Sequence, residues 1–380
     1  MDFDLTKEQQ EIVRAARKFA TGEFPERAME FDRGETFDLK ILKKACELGF
    51  VGVFIPEEYG GAGYGFFEHC LINEEFWAVD PGIGSAILAA TFGSELIILY
   101  GTRDQKEQWL PRLVVGDAII GTAITEPDAG CDVTGAITAA VKEGDEWVIN
   151  GSKMFATNGT IADVMLIFCQ TDPDNASRHR RHSFILVPTN SAGFKATKIH
   201  GKMGIRASDT AEIVLRDVRV PADNLVGKAG EGFYELMEFF NRTRLHICAQ
   251  AVGLARAALE ESIRHTKGRR QFGKAIAEFQ VTQFKLVEMA TRIRAARNLY
   301  YEAAWRADLG KPDHSLVAMA KWYSAKMAVQ CADEAVQMHG GYGYIDEYKV
   351  QRLYRDAKIL EIYEGTKEIE KTIIAGSLLK

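Results

Sequence analysis

The chain has 380 residues, of which 47% are hydrophobic and 26% charged, and a formal net charge of −6. This length calls for about two or three structural units, and Lys and Arg interspersed with acids argue against a nucleic-acid groove. Six scattered cysteines, with no C-x-x-C pair and no His/Cys cluster at metal-ligand spacing, point to a reducing compartment and to no metal site.

The opening "MDFDLTKEQQ" reads as neither a signal peptide nor an arginine-rich transit sequence. No uncharged apolar run reaches the roughly 18 residues that span a bilayer, so the expected location is cytoplasmic, without a membrane span. Residues 1–120 carry helical periodicity. In "TKEQQEIVRAARKFA", Ile12, Ala16 and Phe19 share one stripe, and Thr6 with Gln9 forms a capping-box pattern. Residues 121–230 change to short β-branched runs between turns, such as "EWVING", "VMLIFCQT", "SFILVP" and "AEIVLRDVRVP", which predict an antiparallel β domain. Residues 231–380 hold long amphipathic helices suited to a bundle. The class is α+β, mainly α, and a cleft is expected where the β unit meets the second helical unit.

Five stretches stand out. "AITEPDAGCD" (123–132) is a turn after an apolar entry, equally readable as a surface loop. In "NGSKMFATNG" (150–159), Phe155, Ala156 and Thr157 offer a flat aromatic, a small residue and a hydroxyl, which suits a planar ring as well as a plain strand and turn. "GRRQFGK" (268–274) offers an arginine fork for a pyrophosphate or simply solvated loop arginines. "QMHGGYGY" (337–344) permits close backbone approach or caps a helix. In "ILEIYEGTKEIE" (359–370), Glu364-Gly365 interrupts a helical surface, which by itself reads as a C-cap. There is no Walker A motif and no G-x-G-x-x-G after a strand.

Taken in order, "AITEPDAGCD", "NGSKMFATNG", "MGIRASDT", "RRQFGK", "QMHGGYGY", "YRDAKI" and "IYEGT" closely resemble the signatures of the acyl-CoA dehydrogenase family, over nearly the whole chain. The resemblance implies an N-terminal helical domain, a middle antiparallel β-barrel domain, a C-terminal four-helix bundle and a homotetramer. It also implies FAD, an acyl-CoA substrate and an electron-transfer flavoprotein as acceptor. Ile124, Thr125, Cys131, Phe155, Ala156 and Thr157 then face the flavin. Arg269, Phe272, Gln280, Gln337, Met338, His339, Gly340 and Gly341 face the pyrophosphate and adenosine, across a subunit interface, and Thr366 and Glu368 lie along the cofactor. Cys131, Asn241, Arg244, Gly365 and Thr91 match substrate contacts. Phe155 stands where many members have Trp, and Cys131 where Ser is common.

The same resemblance makes Glu364 the base that removes the α-proton, with its backbone N–H on the thioester carbonyl. Thr243 stands where some members keep their base instead, and a threonine cannot serve as one. Leu88, Phe92, Phe239 and Phe240 would shorten the acyl pocket, and no arginine lies between Pro81 and Tyr100. A compact uncharged acyl group is therefore expected, short, branched or alicyclic such as cyclohexane-1-carboxyl-CoA. A flavin oxidase of the same fold and a catalytically silent CoA-ester-binding module are the competing readings.

Overall fold

A computed structural model describes residues 4–380. The N-terminal third is helical: α1 (Lys7–Glu23), α2 (Pro25–Gly34), α3 (Leu39–Glu47), α4 (Phe66–Val79), α5 (Pro81–Leu88), α6 (Ser94–Tyr100) and α7 (Arg103–Val114). The α1 capping box forms as its sequence predicts. Thr6 Oγ1 accepts from the Gln9 N–H at 3.2 Å, Gln9 Oε1 accepts from the Thr6 N–H at 3.0 Å, and Ala16 and Phe19 are buried. Residues 81–100 are long and apolar enough to cross a membrane by composition alone. However, 78% of that stretch is buried inside the fold, it is broken between α5 and α6, and it contains the buried Glu95. It is a core segment.

The middle third holds β1 (Ile120–Ala123), β2 (Ala139–Glu143), β3 (Glu146–Thr157), β4 (Val164–Gln170), β5 (His182–Pro188), β6 (Phe194–Lys198), β7 (Thr210–Pro221) and β8 (Leu225–Val226). They form one sheet in the order β6-β7-β3-β2-β4-β5-β8, with β1 added beside β4. The expected antiparallel barrel is corrected on two counts. The sheet is not closed, and it is mixed, because β1 runs parallel to β4 from Ile120↔Val164 to Ala123↔Ile167 and β2 meets β4 in parallel at Ala139↔Gln170. Every residue of β1 is buried, as are six of the seven in β4. Strands covered on both faces carry no alternation from which a direction could be read.

The C-terminal third begins with the 37-residue α8 (Gly232–Gly268). A short hairpin of β9 (Arg270–Gln271) and β10 (Lys274–Ala275) leads to α9 (Gln280–Asp308) and α10 (His314–His339). These three long helices pack on one another, and α11 (Lys349–Ala357) and α12 (Lys367–Leu378) pack on α10. α4 lies so close to α8 that a Cβ on Gly253 would stand 2.3 Å from the Glu74 carbonyl oxygen, so no larger residue fits that crossing.

Candidate active site

The segment between Glu361 and Lys367 leaves helical geometry. Glu364 has φ +54° and Gly365 φ +100°, two consecutive left-handed residues. A glutamate in that region carries strain of about 1–3 kcal/mol that the surroundings must hold. Two buried cations hold it: Arg244 Nε on α8 donates to the Glu364 carbonyl at 3.1 Å, and Lys321 Nζ on α10 donates to the Gly365 carbonyl. The Glu364 N–H has no hydrogen-bond partner among the described residues.

The Glu364 side chain accepts a hydrogen bond from Thr243 Oγ1. Burial raises its pKa above the ordinary carboxylate value, against the pull of that hydrogen bond and of the Arg244 and Lys321 charges. Glu370, in the first turns of α12, is fully buried, and its carboxylate is pushed up to about 7 by burial. Its Oε1 lies 3.0 Å from Arg244 Nε. Lys321 is drawn down to about 8 by burial. Glu95, on α6, is also pushed up to about 7 by burial, with the Glu364 charge adding to the rise. Tyr363 donates to Gln250 Oε1 at 2.6 Å, fixing the residue before Glu364 to α8.

A second group gathers at the sheet. Lys153 Nζ donates to the Ile124 carbonyl at 3.0 Å, and the Met154 N–H donates to the Thr125 carbonyl at 2.8 Å, so the β1 exit lies against β3. There the β3–β7 register slips between Lys153 and Ala156, and Phe155 sits in the slip with φ +58° and 63% of its surface exposed. A bulge that turns a large aromatic outward re-aims it at whatever lies beyond the sheet. Ala156 is buried and Thr157 is half-buried, with no hydrogen bond from its hydroxyl among the described residues. Cys131 Sγ approaches Thr366 Oγ1 at 3.8 Å, which brings the 123–132 loop to the segment carrying Glu364.

A third group lies apart from these. Arg269, Gln337, Met338, His339, Gly340 and Gly341 line an open cavity of about 470 Å³, with the Arg269 guanidinium 5.7 Å from the centre of the Tyr342 ring. Phe272 projects outward with φ +50° and 92% exposure, and Gln280 opens α9 on the surface. Among the described residues no hydrogen bond or ring contact joins this third group to Phe155 or Glu364. Asn241 lies beside Arg244, whose Nη1 it accepts at 3.4 Å, whereas Thr91 is buried in a turn between α5 and α6 with no hydrogen bond to Glu364. Glu368 is exposed, and the carboxylate that α12 turns inward is Glu370.

Models of the acyl-CoA dehydrogenase N-terminal, middle and C-terminal domains match residues 6–117, 121–218 and 230–379. The chain belongs to the acyl-CoA dehydrogenase family. Like the family it is an FAD-dependent oxidoreductase with a three-domain, mainly helical fold. It is 41% identical to the probable acyl-CoA dehydrogenase YngJ of Bacillus subtilis over 100% of both chains. Butyryl-CoA dehydrogenase of Megasphaera elsdenii superposes with a TM-score of 0.96 at 38% identity, again over 100% of both. A chain from the structure described as the electron transferring flavoprotein of Acidaminococcus fermentans superposes with a TM-score of 0.97 at 39% identity over 100% of both.

Sequence reasoning missed Lys321, Glu370 and Glu95. Lys321 left a signal, because it stands between Ala318 and Ala325 on a stripe of α10 that is otherwise small and apolar.

Proposed function

We propose that this acyl-CoA dehydrogenase family member desaturates a compact, uncharged acyl-CoA thioester between its α- and β-carbons, with Glu364 taking the α-proton. The observation that carries this reading is the Glu364 backbone. A carboxylate of raised pKa and an unpartnered N–H belong to one residue, held in left-handed geometry by Arg244 and Lys321. An α-C–H is a weak acid, so the base needs a pKa lifted toward neutrality, and the free N–H is placed to receive the thioester carbonyl oxygen as charge develops there.

The residues present suit FAD. Phe155, turned outward beside the Thr157 hydroxyl, offers a stacking face next to a hydrogen-bonding group, with Ile124 and Thr125 tied to the same strand, and Ala156 and Cys131 would complete the flavin site. Bound there, FAD supplies the acceptor for the β-hydride. Arg269, Phe272, Gln280 and the stretch Gln337–Met338–His339–Gly340–Gly341 would hold the pyrophosphate and adenosine of a second subunit's cofactor, while Thr366 and Glu368, which follow Glu364, would lie along the cofactor. Their separation from Phe155 within one chain supports a homotetramer built from such pairs. Cys131, Asn241, Arg244, Gly365 and Thr91 would flank the CoA ester, and an electron-transfer flavoprotein would receive the electrons. The three units are read as residues 1–120, 121–230 and 231–380.

A compact acyl group is supported by the aromatic cluster of Phe92 and Phe239, 5.2 Å apart, and of Phe239 and Phe240, 6.0 Å apart. Each added methylene should contribute about 0.8 kcal/mol until the pocket fills, after which overpacking opposes it. A dicarboxylic ester would find no arginine between Pro81 and Tyr100 and would meet the buried Glu95. The test is anaerobic titration of the purified yellow protein with straight-chain, branched, alicyclic and dicarboxylic CoA esters, followed by flavin bleaching. Bleaching is expected with short, branched or alicyclic esters. An optimum at long chains or at glutaryl-CoA would overturn the substrate reading, and no bleaching by any ester would overturn the activity.

A further inference from the structure

The two cations that hold the strained backbone are themselves buried, and a buried cation needs a counter-charge. Arg244 has 4% of its side chain exposed, and Lys321 is 1% exposed. Glu364 is one anion near them. The other is Glu370, whose Oε1 stands 3.0 Å from Arg244 Nε and whose charge also acts on Lys321. Arg244 Nε directs its hydrogen at the Glu364 carbonyl, and both Glu370 oxygens lack an aligned hydrogen bond. Glu370 also packs directly on the strained segment, since a Cβ on Gly365 would lie 2.2 Å from its Oε1.

We propose that Glu370 is the positioning residue of this site: the buried counter-charge that keeps Arg244 and Lys321 on the carbonyls of Glu364 and Gly365. It thereby fixes the base in left-handed backbone. The proposal rests on Glu364 being the base.

α8 contributes Thr243, Arg244 and Cys248, whose thiol burial keeps neutral, α10 contributes Lys321, α6 contributes Glu95, itself in the field of Arg242, and Tyr363, kept neutral by burial and by the Glu364 charge, precedes the base. Glu370 takes up its proton near pH 7, so its counter-charge is present on the alkaline plateau and lost as pH falls toward 7. The clamp weakens with that protonation, which gives the parent a step in rate near pH 7 in addition to the limb set by Glu364.

The experiment compares the parent and Glu370→Gln as FAD-loaded proteins, following the rate of flavin bleaching by butyryl-CoA across the pH range. The variant should bleach about tenfold more slowly at its plateau, lack the step near pH 7, and bind the ester within about threefold of the parent. A parental plateau rate, or a step near pH 7 that survives the substitution, overturns the proposal. If that variant does not fold, Glu370→Asp carries the test, because it keeps the charge but withdraws it from Arg244 and Lys321: a slower plateau is expected, and a parental plateau rate would overturn the proposal. Failure of the base reading looks different: Glu364→Gln would then still bleach at the parental rate.

Discussion

α8 runs past two buried clusters of charge, and they are built oppositely. Near its middle, Arg256 meets Glu74 at 2.8 Å and Glu75 at 2.7 and 2.8 Å. Glu74 also accepts from Arg297 Nη2 at 2.6 Å and from Tyr300 at 2.5 Å, and Glu75 from Arg17 at 2.7 Å. Every carboxylate oxygen there is satisfied, and the arginines hold Glu74 below its ordinary pKa although burial pushes it up. About three turns earlier, around Arg244, the carboxylates of Glu364 and Glu370 are under-partnered and raised. A cluster whose carboxylates are all paired pins α4, α8 and α9 together. A cluster that spends its cations on main-chain carbonyls leaves carboxylates near the pKa at which protons move.

Glu74 is the most sensitive point of the paired cluster. Glu74→Gln strands Arg297 and part of Arg256 without their counter-charge, so unfolding by urea should show a loss of about 3–5 kcal/mol. The bleaching rate per folded molecule should remain close to parental. Gly365→Ala strikes the other cluster, with a Cβ driven onto Glu370 and a φ that alanine resists. It should cost about 1–3 kcal/mol in the same assay and, unlike the Glu74 variant, slow bleaching sharply.

The clusters should also respond oppositely to pH. Glu74, lowered in the fold, contributes stability that is present above the ordinary carboxylate pKa and lost as pH falls through its folded value. Glu370, raised from 4.5 to about 7, binds its proton more tightly when folded, so its contribution falls as pH rises through that window. Urea midpoints measured across pH should therefore show Glu370→Gln flattening the neutral side of the parental curve, and Glu74→Gln flattening the acid side. The smallest effect concerns Thr243. Thr243→Val removes a hydrogen bond that lowers the Glu364 pKa, so the acid limb of bleaching should move to higher pH by less than about one unit. A downward shift would mean the hydrogen bond acts the other way.

Much of the helical scaffold was legible because its signals are local. The α1 capping box and the Ile12, Ala16, Phe19 stripe need nothing beyond their own segment. The direction of β1 was not, since a strand buried on both faces does not show which neighbour it joins. Phe155 was recognisable as an aromatic beside a hydroxyl, but the register slip that turns it outward depends on β7. Glu364-Gly365 read by itself as a helix C-cap, and only the ordered motifs set it apart. Glu370 was hidden because nothing local distinguishes it from Glu368. Its burial exists only once α8 and α10 bring Arg244 and Lys321 to it.

The most direct test of Glu364 as the base is single-turnover flavin bleaching by butyryl-CoA in Glu364→Gln, followed anaerobically by stopped flow. The amide keeps the shape and the backbone N–H but cannot take a proton. The expected result is a yellow protein that still binds the ester and bleaches about 10²–10⁴-fold more slowly than the parent; a rate within a few-fold of the parent would contradict Glu364 as the base.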